Sequence, residues 1–297
     1  MRSRTVALLA TLLPLATLSA PAARAAVPSL DHVIVVIMEN HSYDQVRSQP
    51  YTAGLIAGSS ACASSFAITH PSQPNYIAMW AGSTLGTTND VCPAPGSPFT
   101  AENLGHACEA KGITWRAYSE NLPSAGSPAC TASGTLYTRK HDPWTQFSNL
   151  THLNERPYGD LAADLAAHTL PRLAFVVPNN CNNTHDCTVA TGDAWLAANL
   201  PAMISGAGSN GVVILTWDED NNLSGNHILT VFAGATVKTG FTSPGTVNHY
   251  NVLRTICDAL GLTPFAGAAT AAPIIDVWGG TTAAKALSWG TLKLHYR

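Results

Sequence analysis

The chain has 297 residues, 46% of them hydrophobic and 11% charged, enough to bury one large core or two small ones. A formal net charge of −3 and a pI near 6.4 leave no basic footprint, which excludes a surface built for nucleic acid. The same composition excludes a disordered chain.

The N-terminus reads as a signal peptide over residues 1–25. Arg2 and Arg4 form its basic start, Val6 to Ala20 its apolar stretch, and Ala23-Arg24-Ala25 a small-x-small cleavage site. A membrane anchor needs roughly 20 uninterrupted apolar residues, and Pro14 and Pro21 break this one. No later segment is long and apolar enough to span a bilayer, so the expectation is a secreted protein without stable membrane insertion. Residues 26–297 show no linker and read as a single domain.

Val33–Met38 is a continuous apolar run, the signature of a strand buried on both faces, and it ends abruptly in Glu39-Asn40-His41-Ser42. Thr69–Tyr76 then forms a Ser-x-Pro-Asn turn, with a helix opening over Pro74–Trp80 and proline in its first turn. A helix follows over Ala101–Lys111 and a strand over Thr114–Tyr118. Ser119–Leu153 is rich in Ser, Pro and Asn and is expected to drape irregularly over the functional edge. Leu161–Ala167 reads as a short helix, and Leu173–Val177 as a buried strand ending at Pro178. Asp193 stands in the cap position of a helix over Ala194–Ile204. Val212–Trp217 is a second long apolar run, ending in Asp218-Glu219-Asp220-Asn221, and Ile228–Phe232 is a further strand. From His249 the positions Val252, Leu253, Ile256, Cys257 and Leu260 recur at helical spacing. Strand–helix alternation with buried strands implies an α/β fold, a mostly parallel central sheet with helices on both faces.

Seven cysteines in an exported chain imply disulfides and one odd thiol. Cys181 and Cys187 bracket a small polar loop and are expected to pair. Cys92, Cys108 and Cys130 are expected to pair among themselves or with Cys62, leaving Cys257 free on a helical apolar face. No C-x-x-C spacing supports a zinc site.

In open α/β sheets, ligands bind at the carboxyl ends of the strands. Two acidic strand ends with a serine between them suggest a hydrolase with a hydroxyl nucleophile beside a metal. Ser72 either caps its helix or attacks a phosphorus held at the helix N-terminus, where free N–H groups favour an anion. A serine hydroxyl needs a base or a metal to act, and no Gly-x-Ser-x-Gly elbow surrounds this one. Glu39, Asn40, Asp218 and Glu219, with Ser72, offer oxygen donors suited to a hard cation. Asn75 is placed to donate to a phosphoryl oxygen. His70, and Lys140 with His141, supply phosphate-binding groups, and His185 and His249 are the histidines read as catalytic. His32, His106, His152 and His168 are left to structure.

Val35–Asp44, Thr69–Tyr76, Gly192–Leu200, Thr216–Asp220 and His249–Thr255 together resemble the phosphoesterase family that joins bacterial phospholipases C to secreted acid phosphatases. The resemblance covers essentially the whole mature chain and implies an alkaline-phosphatase-like fold. It implies that Glu39, Asn40, Asp218 and Glu219 hold a metal that Ser72 also contacts, and that Ser72 forms a phosphoserine which water hydrolyses. Asp218-Glu219 stands where two-zinc relatives would have an Asp-His pair. The expectation is therefore one divalent ion, drawn from Ca, Mg, Mn or Zn, with histidines or Lys140 in place of a second. The implied function is a secreted, metal-dependent acid phosphatase acting on phosphomonoesters, phosphoinositide monophosphates among them. The alternatives are a phospholipase C acting on phosphodiesters and a catalytically inactive surface-binding protein on the same scaffold.

Overall fold

The computed structural model describes residues 26–279. The expected signal peptide, 1–25, lies outside them, as do residues 280–297 of the expected domain. Eight strands form one sheet: β1 (His32–Met38), β2 (Ser60–Phe66), β3 (Trp115–Ser119), β4 (Glu155–Pro157), β5 (Leu173–Val177), β6 (Gly211–Trp217), β7 (His227–Ala233) and β8 (Phe241–Asn248). Their order across the sheet is β4-β3-β5-β1-β6-β7-β2-β8. Only β7 runs against the rest, pairing antiparallel with both β6 and β2. The helices are α1 (Tyr43–Val46), α2 (Pro50–Gly58), α3 (Ser72–Ala81), α4 (Leu104–Ala110), α5 (Gly159–Ala166), α6 (Val189–Ala207), α7 (His249–Leu260) and α8 (Ala266–Thr270).

The apolar runs at β1, β5 and β6 are central because neighbours cover both their edges and both their faces. Successive side chains of a strand point to opposite faces, and β1 feeds two cores accordingly. Val33, Val35 and Ile37 pack with α3, α4 and α7, whereas Ile34, Val36 and Met38 pack with α2, α5 and α6. Trp80 of α3 anchors the first core, with its ring against Trp115, Trp144 and Phe175.

Two strands escape the sequence pattern. β2 reads Ser-Ala-Cys-Ala-Ser-Ser-Phe and β8 contains Pro244, yet both join the sheet. Inside it, Thr230 Oγ1 lies 2.8 Å from both Ser65 Oγ and Thr216 Oγ1, a hydroxyl ladder that lets polar residues sit buried. The expected helix after Asp193 begins earlier, at Val189, and Thr188 caps it by accepting from Thr191 N–H. Asp193 instead reaches across to α2, accepting from the backbone N–H groups of Tyr51 and Thr52 and from the Thr52 hydroxyl at 2.7–2.9 Å.

Cys181 pairs with Cys187, and Cys92 with Cys130. Cys62, Cys108 and Cys257 are free and buried, so the expectation of a single odd thiol is corrected to three. Each is packed in the core that α3, α4 and α7 cover, and burial pushes all three thiols up to about 12. The segment expected to be irregular, 119–153, carries short 3-10 turns at Arg139–His141 and Pro143–Gln146 and lies over α3.

Candidate active site

The carboxyl ends of β1 and β6 lie side by side, tied by Asp218 N–H donating to Met38 carbonyl at 3.0 Å. Beyond Met38, Glu39 is buried and Asn40 takes a left-handed backbone (φ 47°), which asparagine tolerates better than most residues. Asn40 N–H donates to Asp218 Oδ1 at 3.1 Å, so the two acidic strand ends grip each other. The chain arrives at α3 through a turn held by Asn75. That side chain accepts from Ile68 and Thr69 N–H at 3.0 Å and donates to the Thr69 and Pro71 carbonyls at 2.8 and 3.2 Å. Both ends of Asn75 are thereby committed. It shapes the turn, and its amide nitrogen also lies 3.4 Å from Glu219 Oε2.

Ser72 is the first residue of α3, not its cap, which is Pro71. Its hydroxyl points at the acids and lies 3.1 Å from Glu39 Oε2 and 3.3 Å from both the Asn40 side-chain amide and Glu219 Oε1. With its amide turned so that the nitrogen faces this cluster, Asn40 Nδ2 donates to Glu39 Oε2 and Glu219 Oε1 at 3.1 Å and to Asp218 Oδ1 at 3.3 Å. Turned the other way, the same amide offers its oxygen beside the three carboxylates, the donor type a hard cation takes.

The electrostatics agree. Burial, reinforced by Asp218, holds the Glu39 carboxyl well above its ordinary range. Burial and Glu219 push Asp218 up to about 8, and burial pushes Glu219 up to about 7. Asp218 Oδ2 is buried without a partner. Three acids that resist carrying charge together form a set that a hard cation satisfies, so Glu39, Asn40, Ser72, Asp218 and Glu219 fit such an ion. A second group, Glu39 with His141 and His185, brings one ligand atom from each within 4.8 Å of the others and could also hold a metal.

The remaining expected residues fall at different depths. His70 Nδ1 lies 2.7 Å from Glu219 Oε2 and its Nε2 3.3 Å from Asp220 Oδ1, so it braces the acids. His141 is buried with Nε2 3.1 Å from Glu39 Oε1, and burial, with Lys140 and His185, drives it well below its ordinary value. His249 Nε2 lies 2.6 Å from the Asp218 carbonyl at the start of α7, and burial lowers it to about 4. In both, burial disfavours the charged ring. His249 is itself buried, at the start of α7 against the Asp218 carbonyl. Lys140 Nζ lies 2.8 Å from Asp90 Oδ2 and 3.2 Å from His185 Nε2. Burial pulls this ammonium down, but Asp90, Glu39 and Asp218 more than reverse it, so it stays charged. His185 rides on the Cys181–Cys187 loop, whose Thr184 hydroxyl donates to the Glu39 carbonyl at 2.8 Å.

Sequence reasoning missed three residues here. Tyr76 donates its hydroxyl to Glu39 Oε1, and its position four residues after Ser72 on one helix was a usable signal. Asp90 contacts Lys140 and Asp220 contacts His70, with no pattern in the sequence to announce the first.

Residues 46–263 match the profile of the Phosphoesterase family. The chain belongs to the phosphoesterase family. It is 40% identical over 261 residues to a phosphatidylinositol-3-phosphatase of Mycobacterium tuberculosis, covering 86% of each chain. It is 27% identical to an acid phosphatase of Aspergillus fumigatus, over 76% of this chain and 54% of that one, and 28% identical to a phosphate-repressible acid phosphatase of Penicillium chrysogenum, over 79% and 60%. It thus spans little more than half the length of these fungal relatives. In fold it is similar to an alkaline phosphatase superfamily protein from Vibrio parahaemolyticus, with TM-score 0.58, 10% identity, and coverage of 79% of this chain and 67% of that one. Murine ectonucleotide pyrophosphatase/phosphodiesterase 5 is similar at TM-score 0.53 and 11% identity, over 79% and 96%. The fold is alkaline-phosphatase-like α/β, and the phosphoesterase is a phosphoric ester hydrolase.

Proposed function

We propose that this phosphoesterase is a secreted, metal-dependent acid phosphatase that hydrolyses phosphomonoesters, phosphoinositide monophosphates included, through a phosphoserine on Ser72. The observation that carries the reading is the Ser72 hydroxyl at the N-terminus of α3, within 3.1–3.3 Å of the Glu39 and Glu219 carboxylate oxygens and the Asn40 side-chain amide. Glu39, Asn40, Ser72, Asp218 and Glu219 would hold one divalent ion, and their oxygen-only set favours Ca, Mg or Mn over Zn. When bound, such an ion lowers the pKa of a hydroxyl it touches and offsets charge developing at phosphorus.

Ser72 passes its hydroxyl proton to one of the carboxylates it touches, Glu39 or Glu219, as Oγ attacks the phosphorus and the ester P–O bond breaks. The leaving alcohol takes its proton from His185, at the rim beside Lys140. Water then gives a proton to His185 and attacks the phosphoserine, and Ser72 Oγ leaves with the carboxylate's proton, releasing inorganic phosphate. Lys140 offers the phosphoryl oxygens a fixed charge.

Two disulfides suit an oxidising compartment, and with the leader-like residues 1–25 they support export of a single catalytic domain, 26–297. No helix among the described residues is long and apolar enough to cross a membrane. The test is phosphate release from a panel of monoesters, diesters and phosphoinositides at acidic and alkaline pH, after chelation and after add-back of each cation. The reading expects loss on chelation, recovery with a cation, monoesters ahead of diesters and faster turnover on the acidic side. Full activity in metal-free protein, an optimum above about pH 8, or a clear preference for phosphatidylcholine-type diesters, would overturn it.

A further inference from the structure

Asp90 stands beside the site, its charge near enough to Glu219 to help raise that carboxyl, but its two oxygens are bonded to other partners. Its Oδ1 accepts from Gln73 N–H at 2.9 Å, in the first turn of α3 beside Ser72, and its Oδ2 accepts from Lys140 Nζ at 2.8 Å. One carboxylate thereby takes both a helix N-terminal N–H and the fixed ammonium, the two kinds of donor that bind phosphoryl oxygens. The carboxylate is held there from two sides. The Gln73 amide donates to the Asn89 and Val91 carbonyls at 2.9 and 3.0 Å, and the Cys92–Cys130 disulfide follows two residues later. Its side chain is 29% exposed, so a ligand entering from solvent meets it.

We propose that Asp90 is a specificity-determining residue: a tethered anion that occupies the phosphoryl-binding donors in the free enzyme and gives them up only to a more highly charged ligand. The proposal rests on the phosphatase reading and refines its substrate class. A phosphomonoester approaches two negative charges once the pH passes its second pKa of about 6, whereas a diester carries one throughout, so the two are compared at a pH of about 6.5–7, above that pKa. A diester matches the charge of Asp90 and must displace a competitor whose local concentration is set by its tether. A monoester dianion gains more from Lys140 and the N–H than a carboxylate does, and so displaces Asp90. The same competition loosens the hold on product phosphate.

A residue that merely aims Lys140 would give the opposite sign, because its loss would weaken every phosphoryl ligand. The test compares the full cation-loaded enzyme with Asp90→Asn and Asp90→Ser, each confirmed folded by thermal melting. The readouts are kcat/KM for 4-nitrophenyl phosphate and bis(4-nitrophenyl) phosphate, and calorimetric titration of inorganic phosphate. The monoester-to-diester ratio is expected to fall about tenfold in both variants, mainly through improved diester hydrolysis, with phosphate binding tightened. An unchanged ratio, or parallel loss on both substrates with weaker phosphate binding, overturns the proposal. Wild-type enzyme that turns over neither ester would instead count against the phosphatase reading itself.

Discussion

Tyr76 and Glu39 form a hydrogen bond that fixes which way the carboxylate faces. The phenol donates to Oε1, leaving Oε2 to the Ser72 hydroxyl 3.1 Å away, and the Tyr76 ring stacks on His141 at 5.1 Å. Burial and Glu39 hold the phenol well above its ordinary value, so it stays a donor. Partners that orient a ligand in this way typically contribute 10–100-fold to metal affinity. Tyr76→Phe should therefore weaken divalent-cation binding by about tenfold or more, read by calorimetric titration of the apoprotein. An unchanged cation affinity would show that Glu39 needs no such support.

Stability of the metal-free protein should fall as pH rises from about 6.5 to 8. Asp218, raised to about 8, and Glu219, raised to about 7, keep protons in the folded state that the unfolded chain has already released. The folded state binds more protons in this window, so raising the pH favours unfolding. The neutral His141 and His249 act with the opposite sign, but only below their ordinary value of 6.5, where the unfolded chain protonates first. Thermal melts with and without cation check this: the stabilisation given by cation should be larger at pH 8 than at pH 6.

Asp193→Ala should destabilise the fold by about 1–3 kcal/mol by leaving the Tyr51 and Thr52 donors without a partner. Activity at saturating cation should be retained, because Asp193 lies on α6 and touches none of the site. Urea melts alongside kcat measure the two separately.

Much of the site could be read before the fold was known. The runs at Val33–Met38 and Val212–Trp217 are legible because a strand covered on both faces must be apolar throughout, and acids directly after such strands must lie together at one edge. Ser72 was legible from its turn and Cys181–Cys187 from its short spacing. β2 was not, since hydroxyl pairing with Thr230 replaces the apolar pattern there, and β8 was not, since an exposed edge strand carrying Pro244 needs no apolar run. Asp193 looked like a local cap because spacing alone cannot reveal a partner 141 residues away. His249 was legible at the edge from its place at a helix start, but not its burial against the Asp218 carbonyl. Asp90 had no local signal, as its meaning comes from Gln73 and Lys140.

Opening the Cys181–Cys187 loop by the double change Cys181→Ser and Cys187→Ser should cost roughly 2 kcal/mol on chain-entropy grounds. It should also lower kcat, since the loop supplies the Thr184 hydroxyl to the Glu39 carbonyl and the Asn183 carbonyl to Glu39 N–H. Denaturant melts and steady-state kinetics on the double variant check both effects.

The central claim is that Ser72 carries the phosphoryl group. Acid-quenched turnover of a phosphomonoester, followed by peptide mass spectrometry, tests it directly. The account predicts a phosphoryl group on Ser72 in the wild-type enzyme and neither adduct nor turnover in a folded Ser72→Ala variant. A phosphoryl group on a histidine, or a Ser72→Ala variant that keeps more than a few per cent of wild-type activity, would contradict it.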